Sequence, residues 1–159
     1  MDQTKSRAGI LERTLAGLDG IARRRGRVSA PKHLSIGLEG EDAALFFLRK
    51  KGYTVVARRW TSGDRPGDID LIAWQGPLLC IDEVKTRTAV DMTPAETAVD
   101  RHKRHTLRRL ANQYLRQLPL PERPQVRFDV ISVYLVPGRP REFVHFENAF
   151  GWEERGERD

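Results

Sequence analysis

The chain holds a single cysteine, Cys80, so no intramolecular disulfide can form and the fold must be held by packing and polar contacts. Cys80 sits in a stretch that reads as a buried strand, where a thiol behaves as a small apolar group with no reactive or ligand role indicated. Four histidines, at positions 33, 102, 105 and 145, show no zinc-ligand spacing with cysteine or with a second histidine, so no zinc site is expected. A glycine-rich phosphate cradle, a serine nucleophile elbow and an internal repeat are all missing, which leaves nucleotide-cradling and serine-hydrolase chemistry without a motif. No apolar run is long enough for a secretory core or a membrane span, so a cytoplasmic protein with no membrane partner is expected. A mitochondrial transit peptide fits poorly, because Asp2, Glu12 and Asp19 interrupt the acid-poor composition it needs.

With 159 residues and 39% hydrophobic content, the chain is sized for one domain with extensions. The net charge of +6 and a sequence pI near 9.9 favour a polyanionic partner and say little about fold. Residues 1–35 hold eight Lys or Arg against three Asp or Glu, net +5, and the other residues 20 against 19, net +1. The organisation expected is a basic N-terminal extension (1–35), a folded domain (36–150) and a charged tail (151–159). Within the extension, Leu11, Leu15 and Leu18 allow a short amphipathic helix before the basic run Arg23-Arg24-Arg25-Gly26-Arg27, and a poorly ordered tail of like charge is the competing reading.

The informative part is the middle. Asp68–Ala73 and Leu78–Val84 are both rich in apolar residues, and Trp74-Gln75-Gly76-Pro77 between them carries turn signals, which together predict a β-hairpin. With the turn near Gln75 and Gly76, facing residues have numbers summing to about 151–153, allowing for a bulge. Asp70 then lies almost opposite Glu83, and alternation places Lys85 on the same face as Glu83. Two carboxylates suit Mg²⁺, with Mn²⁺ as an alternative, because hard cations take oxygen ligands and are usually held by one or two carboxylates with substrate phosphate. Lys85 beside them can orient water or stabilise developing phosphate charge. Each residue taken singly reads more readily as a turn residue or an ordinary surface ion pair, but a strand apolar on both faces makes charges at its end costly unless they are used or paired. Upstream, Gly37–Lys51 reads as a helix with Ala44, Leu45, Leu48 and Phe47 as its apolar stripe, ended by Gly52. Glu41 lies on that stripe, either facing the sheet as a further metal carboxylate or complementing the helix N-terminus.

The ordered set Gly37-Leu38-Glu39-Gly40-Glu41, Gly52-Tyr53, Gly67-Asp68-Ile69-Asp70-Leu71-Ile72 and Glu83-Val84-Lys85-Thr86-Arg87 resembles the bacterial YraN family. Downstream, Val99, Lys103, Leu107, Ala111, Tyr114, Leu115, then Phe128-Asp129-Val130-Ile131 and Asn148-Ala149-Phe150 extend the resemblance over about residues 36–150. The resemblance implies a restriction-endonuclease-like core of the PD-(D/E)XK superfamily, similar in fold to archaeal Holliday-junction resolvases. By matching position it implies Asp70, Glu83 and Lys85 as the signature acids and lysine, with Glu41 as the helix carboxylate. It also implies DNA as partner and a homodimer by analogy. Asp68 stands where the family mostly has Glu, and Asp82 where it mostly has an apolar residue, so Asp82 must find a partner or solvent on the face opposite Glu83.

Residues 95–118 read as a second helix, apolar along Val99, Leu107, Leu110, Ala111, Tyr114 and Leu115. Its other side carries Arg101, Lys103, Arg104, Arg108, Arg109 and Arg116 with no acidic residue between Arg101 and Pro121, a pattern suited to phosphate contact. Lys103, Arg87, Arg104 and Arg108 are the candidate nucleic-acid-binding residues, with Lys103 near the apolar seam and so near the cleft. The fold expected is α/β, a central mixed sheet flanked by helices, with strands at 53–60, the hairpin, 126–135 and 141–146. Three functions stay open: a Mg²⁺-dependent endonuclease on branched or structured DNA, a non-catalytic nucleic-acid-binding protein of the same fold, and a basic scaffold for another protein.

Overall fold

The computed structural model of the protein describes residues 31–90 and 98–153. The expected N-terminal helix and basic tether, the start of the second helix at 95–97 and the end of the C-terminal tail lie outside those residues. The chain divides into Met1–Pro31 and Lys32–Asp159, and the architecture below is that of the second unit. Helix α1 (Lys32–Lys50) precedes β1 (Thr54–Trp60), β2 (Ile69–Gln75) and β3 (Leu78–Arg87), followed by helix α2 (Arg101–Gln117), β4 (Val126–Tyr134) and β5 (Glu142–Phe150).

The five strands lie in the order β1-β2-β3-β4-β5. β3 and β4 are parallel and the other neighbours antiparallel. The one parallel pair needs a crossover, which α2 supplies. β2, β3 and β4 are buried along most of their length, which is why these strands read as nearly continuous apolar runs. On one face α2 places Leu107, Leu110 and Ala111 against Ile69, Ile72, Leu79 and Ile81. On the other, α1 places Ala43, Ala44 and Leu48 against Leu71, Ala73, Cys80 and Ile131. This is the expected α/β architecture, a mixed sheet flanked by helices, of the restriction-endonuclease-like kind. Among the described residues no helix is long and apolar enough to cross a membrane.

The hairpin forms in the expected register, with Leu71 facing Asp82 and Ile72 facing Ile81, both pairs summing to 153. Boundaries moved elsewhere. α1 begins at Lys32, not Gly37, taking in the last residues assigned to the extension. α2 begins at Arg101 because Asp100, extended at φ −68° and ψ 166°, caps it by accepting a hydrogen bond from the Lys103 backbone N–H. Val99 is buried in the core from outside the helix, so its apolar character carried the expected start too far upstream. β5 runs on to Phe150, past the expected end at 146.

Helix α1 meets the sheet closely at one point. A Cβ added to Gly40 would lie 2.9 Å from Thr86 Cβ and nearer still to its hydroxyl, a clash that no Thr86 rotamer relieves. Gly37, one turn earlier, has nothing within 4 Å of an added Cβ. Gly40→Ala should therefore lower stability by about 1–3 kcal/mol through overpacking. Gly37→Ala should raise it by roughly 0.5–1 kcal/mol through helix propensity. Urea unfolding of the two variants reads the contrast, and equal stabilisation by both would contradict the close packing.

Candidate active site

The candidate site arises where one strand outruns its neighbour. Pairing between β2 and β3 ends at Leu71 and Asp82, but β3 continues beside β4 as far as Arg87 opposite Tyr134. Past Asp82, therefore, the edge of β3 that faced β2 has no strand beside it. The Val84 backbone N–H on that edge donates to Asp70 Oδ2 at 2.7 Å, so the Asp70 carboxylate takes the place of a strand partner and is held by it. Glu83 and Lys85 project from the other side of the backbone to Val84, and Lys85 Nζ donates to Glu83 Oε1 at 2.9 Å. Glu41, its side chain only 14% exposed, comes in from α1. Glu41, Asp70 and Glu83 line one cleft of about 410 Å³ with Val84, Thr86 and His33. The sequence reading of Glu41 as an inward carboxylate, not a dipole partner, is the one this geometry follows.

Positive groups surround these acids. Lys103 Nζ donates to the Asp68 carbonyl oxygen at 3.2 Å and lies 3.2 Å from Glu83 Oε2, off the direction of a proper hydrogen bond. Lys103 is thus part of the acid cluster itself. Gly67, at φ +101° with an added Cβ only 2.7 Å from Thr106, lets the chain run against α2 just before Asp68, and Arg109 donates to the Pro66 carbonyl at 2.7 Å. The loop leading into the acidic motif is therefore fixed on α2.

Arg58 and Arg59 went unnoticed as site residues, and the reason is conformational. Consecutive strand residues point to opposite faces, yet Arg58 Nε lies 4.0 Å and Arg59 Nε 3.7 Å from the same Glu41 Oε2. Arg59 has φ 48°, in the left-handed region uncommon outside glycine, and that turn of the backbone brings both guanidinium groups to one carboxylate. Arg87 continues the Glu83 and Lys85 face two residues on. Arg104 and Arg108 have different company: Arg104 Nε donates to the Val99 carbonyl and Arg108 Nε to the Gly151 carbonyl, each at 2.8 Å, and both guanidinium groups stand 5.6 Å from the Phe150 ring. These contacts tie α2 to the end of β5.

The charges are finely opposed. Burial, followed by the Glu83 carboxylate, pushes Asp70 up to about 7, against the lowering effect of the Val84 N–H and Lys103. Burial also raises Glu41, partly offset by Arg59 and Arg58. Lys103 is raised because, although burial works against its charge, Glu83 and Asp70 outweigh it. Among the described residues, Glu41 Oε2 and Glu83 Oε2 are buried without a hydrogen-bond donor. Each of these oxygens is enclosed beside a cation instead, Glu41 Oε2 by Arg58 and Arg59 and Glu83 Oε2 by Lys103. Three carboxylates lining one cleft are nonetheless a donor set of the kind a divalent cation takes, and Asp70, Glu83 and Glu41 are the residues that would hold it.

Asp82, on the other face of β3, is wholly buried. It lies beside Asp129 in the parallel register, and both its oxygens lack a hydrogen bond among the described residues. Burial and the Asp129 charge raise it well above the usual carboxylate range. Asp129 differs: burial alone would raise it, but hydrogen bonds from His145, Arg127 and the Asn148 N–H outweigh that and hold it low.

The description of the uncharacterised protein family UPF0102 matches residues 40–133 of the chain. A UPF0102 protein of Koribacter versatilis is 48% identical over 120 residues, covering 76% of this chain and 82% of that one. Another from Porphyromonas gingivalis is 41% identical over 121 residues, 74% and 85% of the two chains, and one from Nocardia farcinica 41% over 117 residues, 73% and 89%. The family is the one that the YraN resemblance indicated.

Because the folded state holds the Asp70 proton more tightly than an unfolded chain does, stability linked to it is present at low pH. It is lost as pH rises from near the ordinary carboxylate value towards about 7. In metal-free buffer the melting temperature of the wild type should fall across that window relative to Asp70→Asn, and added Mg²⁺ should reduce the fall. Parallel curves for the two proteins without metal would contradict the assignment.

Proposed function

The chain belongs to the uncharacterised protein family UPF0102, and we propose that it is a divalent-metal-dependent endonuclease acting on branched or otherwise structured DNA. The observation that carries this reading is the convergence of Asp70, Glu83 and Glu41 on one cleft with Lys85 hydrogen-bonded to Glu83. Mg²⁺ or Mn²⁺ held by the three carboxylates would supply Lewis-acid polarisation of the phosphate and a more acidic water. The side chains of the protein do the rest. Asp70, fixed by the Val84 N–H, keeps its carboxylate in the cleft. Lys85, anchored at Glu83 and one-third exposed, is placed to orient the attacking water and to offset negative charge that grows on the phosphate. Lys103 balances Glu83 and Asp68 so that the acids tolerate proximity before substrate arrives. Arg58 and Arg59, at the Glu41 side, offer guanidinium groups to neighbouring backbone phosphates, contacts that are salt-sensitive and read no sequence.

A non-cleaving nucleic-acid-binding role is the second reading. It is favoured by Lys103, whose ammonium already neutralises Glu83 Oε2 at 3.2 Å and competes with a cation there.

Purified protein incubated with linear, single-stranded and four-way-junction DNA in Mg²⁺ or Mn²⁺ separates the two. The nuclease reading expects junction cleavage that falls on the order of 10²-fold or more in Asp70→Asn, Glu83→Gln and Lys85→Ala, with binding retained. Cleavage that survives these substitutions would remove the proposed site, and salt-sensitive binding with no cleavage of any substrate would establish the second reading.

A further inference from the structure

We propose that Asp82, Asp129 and His145 form a second metal site, on the sheet face opposite Glu83 and Lys85, that binds an imidazole-accepting first-row transition dication of the Zn²⁺ class. The three residues come from the three adjacent strands β3, β4 and β5, and one donor atom from each lies within 4.8 Å of the others. His145 Nε2 is 3.0 Å from Asp129 Oδ2 and 3.9 Å from Asp82 Oδ1. Donors bound to one ion at about 2.0–2.2 Å can be no more than about 4.4 Å apart, so these separations need little adjustment.

Two further features point to a ligand. Asp82 is wholly buried and aimed into this cluster, and neither oxygen accepts a hydrogen bond among the described residues. A buried carboxylate left so is costly, and a cation between it and His145 would satisfy it. The backbone is also bent to present Asp129. The β4 and β5 register shifts between Phe128 and Val130, and Asn148, at φ 54°, donates its backbone N–H to Asp129 Oδ1 at 2.9 Å. Bulges commonly re-aim a side chain in this way.

The surroundings supply what a metal's outer shell needs. Arg127 holds Asp129 through Nε and Nη2, both at 2.8 Å, and Tyr53 OH accepts from Arg127 at 3.0 Å. Lys51 Nζ lies 3.0 Å from His145 Nδ1, an ammonium donor that leaves the ring proton on Nε2, facing the two carboxylates. A metal on Nε2 would displace that proton and call for the Nδ1–H tautomer. The Lys51 ammonium would then have to turn from the ring towards Glu147 Oε1, 3.7 Å from it, and that carboxylate, now 4.0 Å from Nδ1, would have to close up to accept the Nδ1–H. A carboxylate behind a ligating imidazole is a recurrent arrangement that fixes the ring and strengthens the donor. One imidazole with two carboxylates favours imidazole-accepting ions over Mg²⁺ or Ca²⁺, which take oxygen alone. No spacing in the sequence shows the site, because its ligands are brought together by strand register.

The test removes the cleft first. The double variant Asp70→Asn/Glu83→Gln, stripped of metal, is titrated with Co²⁺ and Zn²⁺, following Co²⁺ visible absorption, bound metal per chain and melting temperature. One equivalent should bind, and Zn²⁺ but not Mg²⁺ should raise the melting temperature. Adding Asp82→Asn, or separately His145→Gln, should weaken binding at least a hundredfold while the metal-free protein still unfolds cooperatively. Having two variants on different strands keeps the test decisive if one does not fold. Absence of any binding by the double variant, or undiminished binding after either added substitution, overturns the site. Neither result depends on whether the cleft cleaves DNA.

Discussion

The hydrogen bond from the Val84 backbone N–H to Asp70 Oδ2 is the contact on which the rest of the cleft depends. A central strand that extends past its neighbour leaves backbone donors on a buried edge, and such donors cannot stay unmet. Filling the gap with a third strand would have closed the sheet. Filling it with a carboxylate keeps the edge open, and what stands in the opening is charged. The cleft is therefore a gap in hydrogen-bond pairing as much as a gap in packing, and Asp70 is at once its structural plug and its first acid.

That arrangement forces the remaining charges. Asp70 and Glu83 come together just past the last hairpin pair, Leu71 and Asp82, and Glu41 adds a third acid from α1 through the close approach at Gly40. Burial first, and the Glu83 charge second, push Asp70 up to about 7, and Lys85, Lys103, Arg58 and Arg59 gather round the acids. The cations come from three different elements, β3, α2 and β1, so the site is assembled only when helix and sheet are docked. Its preorganisation is a property of the tertiary fold and not of the hairpin alone.

What could be read in the sequence follows from which signals are local. Hairpin register depends on a turn and on period-two alternation, both visible in Trp74-Gln75-Gly76-Pro77 and its flanks, so the register was legible and with it the meeting of Asp70 and Glu83 in one cleft. Helical spacing against Ala44 and Leu45 offered an inward direction for Glu41 but left a role at the helix N-terminus equally open, and the sequence did not show that the helix starts as early as Lys32. The start of α2 was not legible, because Val99 looks like a helix residue but is buried from the loop, and Asp100 announces itself as a cap only by side-chain geometry. Arg58 and Arg59 were missed because a left-handed arginine has no compositional sign. Arg104 and Arg108 read as a phosphate-facing stripe, but amphipathic spacing does not show that the Phe150 ring lies beneath them. The fate of Asp82 depended on which residues of β4 and β5 arrive beside it, and that is long-range register.

β3 carries the consequence of that register in its alternation. Glu83 and Lys85 leave one side of the strand, Asp82 the other, and each side gathers its own set of opposite charges. A buried strand normally tolerates such groups on neither face. Here the parallel pairing of Asp82 with Asp129 and of Glu83 with Val130 means that Asp82 meets its second acid from β4, whereas Glu83 has an apolar neighbour in β4 and meets Asp70 from β2 at the open cleft. The two clusters are therefore unlike in kind. One is open and edged by Lys85 and Lys103. The other is closed, braced by Arg127 and the Asn148 N–H. Asp82 and Glu83 adjoin in sequence but leave opposite sides of β3, so each charge is answered by the neighbours of its own face.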